Sequence, residues 1–212
     1  MRKRGVFYQI FMAVSILALL GRASWATPID FDSLMDSQVV STQFASDHMT
    51  FANAITLTAG LSLNEFEFAP HSGNSVVSDA GGAMLISFSA PFGSVGGYFN
   101  YKTQLTLTAF SDAAGTIAIG GASVKSSFNS NLGLSGDSGS SLNEFLQLTG
   151  IGPIGSIRIT GDPGGGSFTL DDFNGTLMRA GFNDGIPTPE PASLLLLGSG
   201  VVGTLWLRRR RG

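Results

Sequence analysis

The sequence predicts an all-β fold, an antiparallel β-sandwich of jelly-roll type. Three observations carry that expectation. Through the middle of the 212-residue chain, apolar and polar residues alternate with period two, the pattern of strands buried on one face. Threonine, phenylalanine and isoleucine fill these runs, while glycine, asparagine and serine break them at short, fairly regular intervals. No run of any length keeps the 3.6-residue period of an amphipathic helix, so many short strands must pack on one another.

In chain order the strand candidates are residues 38–44, 50–58, 84–89, 94–101, 104–110, 116–120, 142–149, 154–160 and 167–178. The clearest alternation sets Leu105, Leu107 and Ala109 between Gln104, Thr106 and Thr108, and Ile157 and Ile159 flank Arg158 in the same way. Residues 123–141 read as one long Ser/Gly/Asn-rich loop, or as a loop that hides a further strand around 124–128.

The two ends of the chain follow other rules. Arg2, Lys3 and Arg4 precede an apolar run at 6–20, and Ser24 and Ala26 put small residues at the minus-three and minus-one positions of a cut after Ala26. Residues 1–26 are therefore expected to be a secretory signal peptide, with a retained N-terminal anchor as the other reading. At the far end, residues 192–207 are 16 charge-free residues that stop at Arg208, Arg209, Arg210 and Arg211. A bilayer core about 30 Å thick asks for roughly 17 to 25 helical residues, so this run makes a short transmembrane helix that relies on snorkelling arginines. The arginines hold residues 208–212 in the cytoplasm, which puts the bulk of the chain on the other side of the membrane. Ahead of the span, 184–191 form a linker. Its Pro189 and Pro191 each lack a backbone donor and bias the preceding residue to extended structure, leaving a non-helical tether that an enzyme cleft can grip.

Pro189-Glu190-Pro191, then a Leu/Gly-rich run, then Arg208 to Arg211, resembles the PEP-CTERM sorting signal of exported proteins of Gram-negative bacteria. The resemblance covers about 26 residues and has all its parts in order. It implies handling by an exosortase, an integral membrane transpeptidase-like enzyme of bacteria that make exopolysaccharide. A tail anchor with a proline-rich stalk is the plainer reading.

Residues 27–183 are left as one extracytoplasmic domain, long enough for a real core. Between the leader and Pro189 lie four of the twelve basic residues and fourteen of the fifteen acids, a net of about −10 that the whole chain's −3 conceals. Such a balance argues against nucleic acid and anionic lipid as partners, and suits cations or neutral glycans. The chain has no cysteine, which excludes disulfides, thiolate catalysis, Fe–S clusters and cysteine-ligated zinc.

The segments "IDFDSLMDSQVVSTQFASDHMTFANA" and "GDPGGGSFTLDDFNGT" resemble the first and last strands of lectin-like, carbohydrate-binding jelly rolls. That resemblance implies a structural calcium ion shared by an acid near the start and one on the last strand: Asp30 or Asp32 with Asp171 or Asp172. Carboxylates and carbonyls are calcium's ligands of choice. Asp171 and Asp172 fall on opposite faces of a regular strand, so at most one of them would bind, and solvated turn carboxylates are the plain alternative.

"GDSGS" at 136–140 mimics a serine-protease nucleophile segment, with Ser138 served formally by His48 or His71 and by Asp79 or Asp112. A triad is defined by geometry, and a Gly-Asp-Ser among eight serines in nineteen residues arises readily by chance. Glu65 and Glu67, on one face of a strand, have a separation compatible with glycoside hydrolysis, but "NEFEFAP" reads more simply as acids outside and Phe66 and Phe68 inside. "GGYFNYK" offers Tyr98 and Tyr101 as rings for a sugar, one on each face, with Phe99 in the core. Trp25 and Trp206, the two tryptophans, both lie in the terminal segments, which weakens the sugar reading.

The sequence therefore predicts a non-enzymatic protein sorted through its C-terminus to the cell surface or exopolysaccharide matrix, with a structural or interaction role. Its expected partners are the membrane, as a transient anchor, an exosortase-type enzyme, and extracellular polysaccharide, but not nucleic acid. The alternative is a carbohydrate-binding module with structural calcium, and a hydrolase ranks third.

Overall fold

A computed structural model describes residues 28–178 and is all-β and antiparallel. Nine strands follow one another: β1 Val39–Val40, β2 Met49–Ala52, β3 Ala54–Thr58, β4 Ser75–Asp79, β5 Met84–Tyr101, β6 Thr106–Phe110, β7 Ala118–Lys125, β8 Glu144–Thr160 and β9 Phe168–Leu177. A 3₁₀ turn, Ala45–Asp47, leads into β2.

The two long strands organise everything else, because β5 and β8 each bend and serve two layers. In one layer the N-terminal half of β5 lies between β2 and the C-terminal half of β8, which carries on to β6 and β7. In the other, the C-terminal half of β5 lies between the N-terminal half of β8 and β9, which carries on to β4, β3 and β1. The β5 bend falls where pairing with β8 jumps from Ser87 to Phe92. In β8 the bend contains Gly150 and Gly152, whose φ of 69° and 91° only glycine adopts without strain. The inner faces meet in one apolar core, with Ile86, Phe88, Ile157 and Ile159 from the first layer packed in the same cluster as Phe99 and Leu170 from the second.

The expected all-β sandwich is present, with revised strand limits. Strand 38–44 shrinks to β1, because the Gln43 side chain takes over the backbone groups a ladder would use: its Oε1 accepts from Ser41 N at 2.6 Å and its Nε2 donates to Val39 O at 2.8 Å. Strand 50–58 divides at Asn53, whose φ of 56° turns the chain from the β5 layer to the β4 layer. The candidates 84–89 and 94–101 are one strand, as are 142–149 and 154–160. Candidate 116–120 lies later, as β7, and absorbs the start of the proposed hidden strand at 124–128. β4 was not expected: all five of its residues are buried, so Ser75-Val76-Val77-Ser78-Asp79 shows no alternation to read.

The signal peptide with its Ala26 cut, the 184–191 linker with Pro189, Glu190 and Pro191, the 192–207 span and the arginine tail all lie outside the described residues. Among the described residues no helix is long and apolar enough to cross a membrane.

Candidate functional site

The outer face of the β8–β5–β9 layer is where the residues singled out in the sequence converge. Register sets its rows. Tyr98 of β5 lies opposite Phe145 of β8 and Asp171 of β9; the next row is Gln147, Gly96 and Asn174; the third is Thr149, Ser94 and Thr176. Directly opposed residues of an antiparallel pair share a face, so these nine positions form one surface.

One end of that surface is covered. Between Gly96 and Tyr98 the β5–β9 register slips by one residue, and Asp172 takes φ 46° in the resulting bulge. The alternation expected for two neighbouring acids is thereby lost: both carboxylates engage the same two residues of the β3–β4 loop. Asp171 Oδ2 accepts from the amides of His71 (2.8 Å) and Ser72 (3.0 Å). Asp172 bonds His71 Nδ1 at 2.5 Å and accepts from Ser72 Oγ at 3.0 Å. Asp32 holds the loop from the other side, its Oδ1 accepting from the amides of Asn74 and Ser75, both at 2.8 Å. Asp30 serves locally, accepting from Asp32 N at 3.2 Å. Burial raises the Asp171 carboxyl to about 6, with the neighbouring Asp172 charge pushing the same way and three backbone amides opposing.

The first and last segments thus do bring Asp32, Asp171 and Asp172 to one loop, but as a clamp made of hydrogen bonds. The arrangement does not fit calcium, which gathers six to eight oxygens, since here the carboxylate oxygens accept from N–H and O–H donors. Among the described residues no group of three or more His, Asp or Glu is arranged to hold a metal ion.

The clamped loop lays the His71 ring flat on Tyr98, 3.4 Å between centroids and 8° between planes, while Phe145 packs on Tyr98 at 5.0 Å. Tyr98 is therefore the tyrosine on the outer face, with His71 occupying one side of its ring. Tyr101 does not face a ligand: it is fully buried and donates its hydroxyl to Glu144. Burial first, and the Glu144 carboxylate second, push this phenol up to about 12. Phe145 was not singled out in the sequence, although the alternation Phe145-Leu146-Gln147-Leu148-Thr149 contained the signal. Leu146 and Leu148 are buried, whereas Phe145 is 42% exposed.

Most of the proposed catalytic groups are engaged by structural partners. Asp137 of "GDSGS" accepts from the amides of Asn129 and Ser130 within its own loop. His48 pairs with Ser89, and His71 with Asp172. Asp79 is buried against Ser167 and Phe168, and Asp112 closes the 112–117 turn. Glu65 and Glu67 lie in the β3–β4 loop and not on a strand; Glu67 accepts from Leu134 N at 3.0 Å and Ser135 N at 3.2 Å, which holds its pKa down and ties that loop to the serine-rich one. The expected buried aromatic face there is absent, since Phe66 is 70% exposed.

Residues 187–211, which include Pro189-Glu190-Pro191 and the four arginines, match the model of the PEP-CTERM protein-sorting motif. The chain carries a PEP-CTERM signal. The PEP-CTERM motif marks an exported, surface-sorted bacterial protein that is anchored in the membrane and processed by an exosortase-type enzyme. A similar solved structure is the K2 cleaved adhesin domain of Lys-gingipain, at 12% identity and a TM-score of 0.48, covering 71% of this chain and 98% of that one. No curated protein matches the chain.

Proposed function

We propose that this protein is a structural and interaction component of the cell surface or exopolysaccharide matrix of a Gram-negative bacterium, without catalytic activity of its own. The observation that carries the reading is the PEP-CTERM motif at 187–211, joined to an acidic, cysteine-free β-sandwich. The motif supplies delivery, and the sandwich is the delivered part. The structural partners that engage His48, His71 and Glu67 favour a display role over hydrolysis.

Sorting is tested in the native host by replacing Glu190 with alanine. The variant should accumulate in the membrane fraction as a heavier form, while the parent reaches the surface; an unchanged mass and location would remove the exosortase from the account. A hydrolase would instead turn over a polysaccharide or ester substrate and lose that turnover in Ser138→Ala or Glu65→Gln, and we expect no turnover from the parent.

A further inference from the structure

We propose that the open part of the β8–β5–β9 outer face binds a neutral polysaccharide, a ligand that deepens and rests on the surface-display reading above. Loops cover the lower rows of this layer: Asn100, one row below Tyr98, is 2% exposed beneath Ala69 and Asn143. Above Tyr98, Phe145, Gln147, Thr149 and Thr176 are exposed and Ser94 and Asn174 half-buried, and the character of the face changes.

Ser94, Gln147, Thr149, Asn174 and Thr176 project there, none of them charged, in a domain whose net charge is strongly negative. Their side chains are left for a ligand: among the described residues the one bond they make is from Asn174 Nδ2 to Asp172 O, at 3.5 Å. Two amides and three hydroxyls offer both donors and acceptors, as a polyhydroxylated chain requires. Successive rows are roughly 6.6 Å apart and neighbouring strands about 4.8 Å, which gives a shallow shelf matched to an extended chain of linked sugar rings.

At the head of the shelf Gly96 is decisive. A Cβ there would lie 2.9 Å from Leu146 O, 3.0 Å from Phe145 Cζ and 3.2 Å from Gln147 Cβ, so the missing side chain leaves room both for the neighbouring backbone and for the Phe145 ring, which leans over the strand and stays 42% exposed. An exposed ring next to amides and hydroxyls is the pairing that accepts the apolar face of a pyranose and its equatorial hydroxyls together. His71 and Tyr98 back that ring as a wall. Among the described residues the acids Asp171 and Asp172 stand behind the wall, and their charge, with the net negative charge of the domain, repels a uronic-acid polymer while leaving a neutral one unaffected.

Full-length protein, solubilised in a detergent without a sugar headgroup, is run in affinity electrophoresis through hydroxyethylcellulose, xylan and galactomannan, with alginate as the anionic comparison. We expect retardation by at least one neutral polymer and none by alginate. Phe145→Ala should weaken that retardation at least tenfold, Asn174→Ala several-fold, and Phe145→Trp should preserve it. Gln147→Glu, a surface change that keeps the side-chain volume, should abolish it. Phe66→Ala, at an exposed phenylalanine in the β3–β4 loop, should leave it intact. No retardation by any neutral polymer, retardation by alginate alone, or retention indifferent to both Phe145→Ala and Gln147→Glu would overturn the site. None of these results bears on the sorted mass or location of the Glu190→Ala variant, so the two readings fail separately.

Discussion

Tyr98 and Tyr101 sit three residues apart on one strand and do opposite jobs, which the sequence half disclosed. Alternation put them on opposite faces and the sequence offered both as rings for a ligand, but it could not show the hydroxyl partner of Tyr101, Glu144, which lies 43 residues away. Tyr101→Phe removes that donor and leaves the carboxylate short of one bond, so equilibrium unfolding should show a loss of about 1–2 kcal/mol. Asp171 and Asp172 were legible as a pair of interest, but the bulge that turns both toward His71 and Ser72 depends on a β5–β9 register that no local pattern reveals. Asp171 also has an inverted pH dependence. Its folded pKa of about 6 lies above the ordinary 3.8, so between about pH 4 and 6 the native state binds the proton that the unfolded chain has released, and this group's stabilisation falls as pH rises through that window. Asp36, Glu67 and Asp112 are held below their ordinary values by hydrogen bonds from Ser62, Leu134 and Ile117, and act in the usual sense, losing their stabilisation as pH falls below about 4. Whatever its cost at neutral pH, Asp171→Asn should therefore flatten the wild-type decline in melting temperature from pH 4 to pH 6; parallel curves for the two proteins would contradict the assignment.

Strands that alternate were easy to find, and strands that do not were missed or cut. β6 was found because Leu107 and Ala109 point to the core between half-buried threonines, whereas β4 is buried on both sides and has no period. β5 and β8 were each read as two strands because Gly93, Gly150, Gly152 and Pro153 look like loop punctuation; here they lie at bends through which one strand passes between layers. Packing at the second bend is tight. A Cβ on Gly155 would lie 2.4 Å from Ser111 O, a backbone atom that cannot swing aside. Gly155→Ala should cost about 1–3 kcal/mol, measured by chemical denaturation, while Gly120→Ala in β7, where nothing lies within 4 Å of the new carbon, should cost well under that.

For the molecule as a whole, the C-terminal sorting signal and the all-β class were the most readable features, since a sorting motif is written in consecutive residues and a β-sandwich in a repeating pattern. The outer shelf was hidden because Phe145, Gly96 and Asn174 become neighbours only when three strands distant in sequence pair. Asp32 near the start and Asp171 and Asp172 on the last strand meet at the β3–β4 loop, where amides, a hydroxyl and an imidazole engage the carboxylates. A clamp made of hydrogen bonds within the chain needs no ion, so excess chelator should leave the thermal midpoint within about 1 °C of its value in excess calcium. The most direct test of the sorting account is the intact mass of the surface-extracted protein from the native host. The account predicts a chain that begins at Thr27 and has lost Arg208 to Arg211 together with the apolar run before them. A surface form that keeps the arginine tail would contradict it.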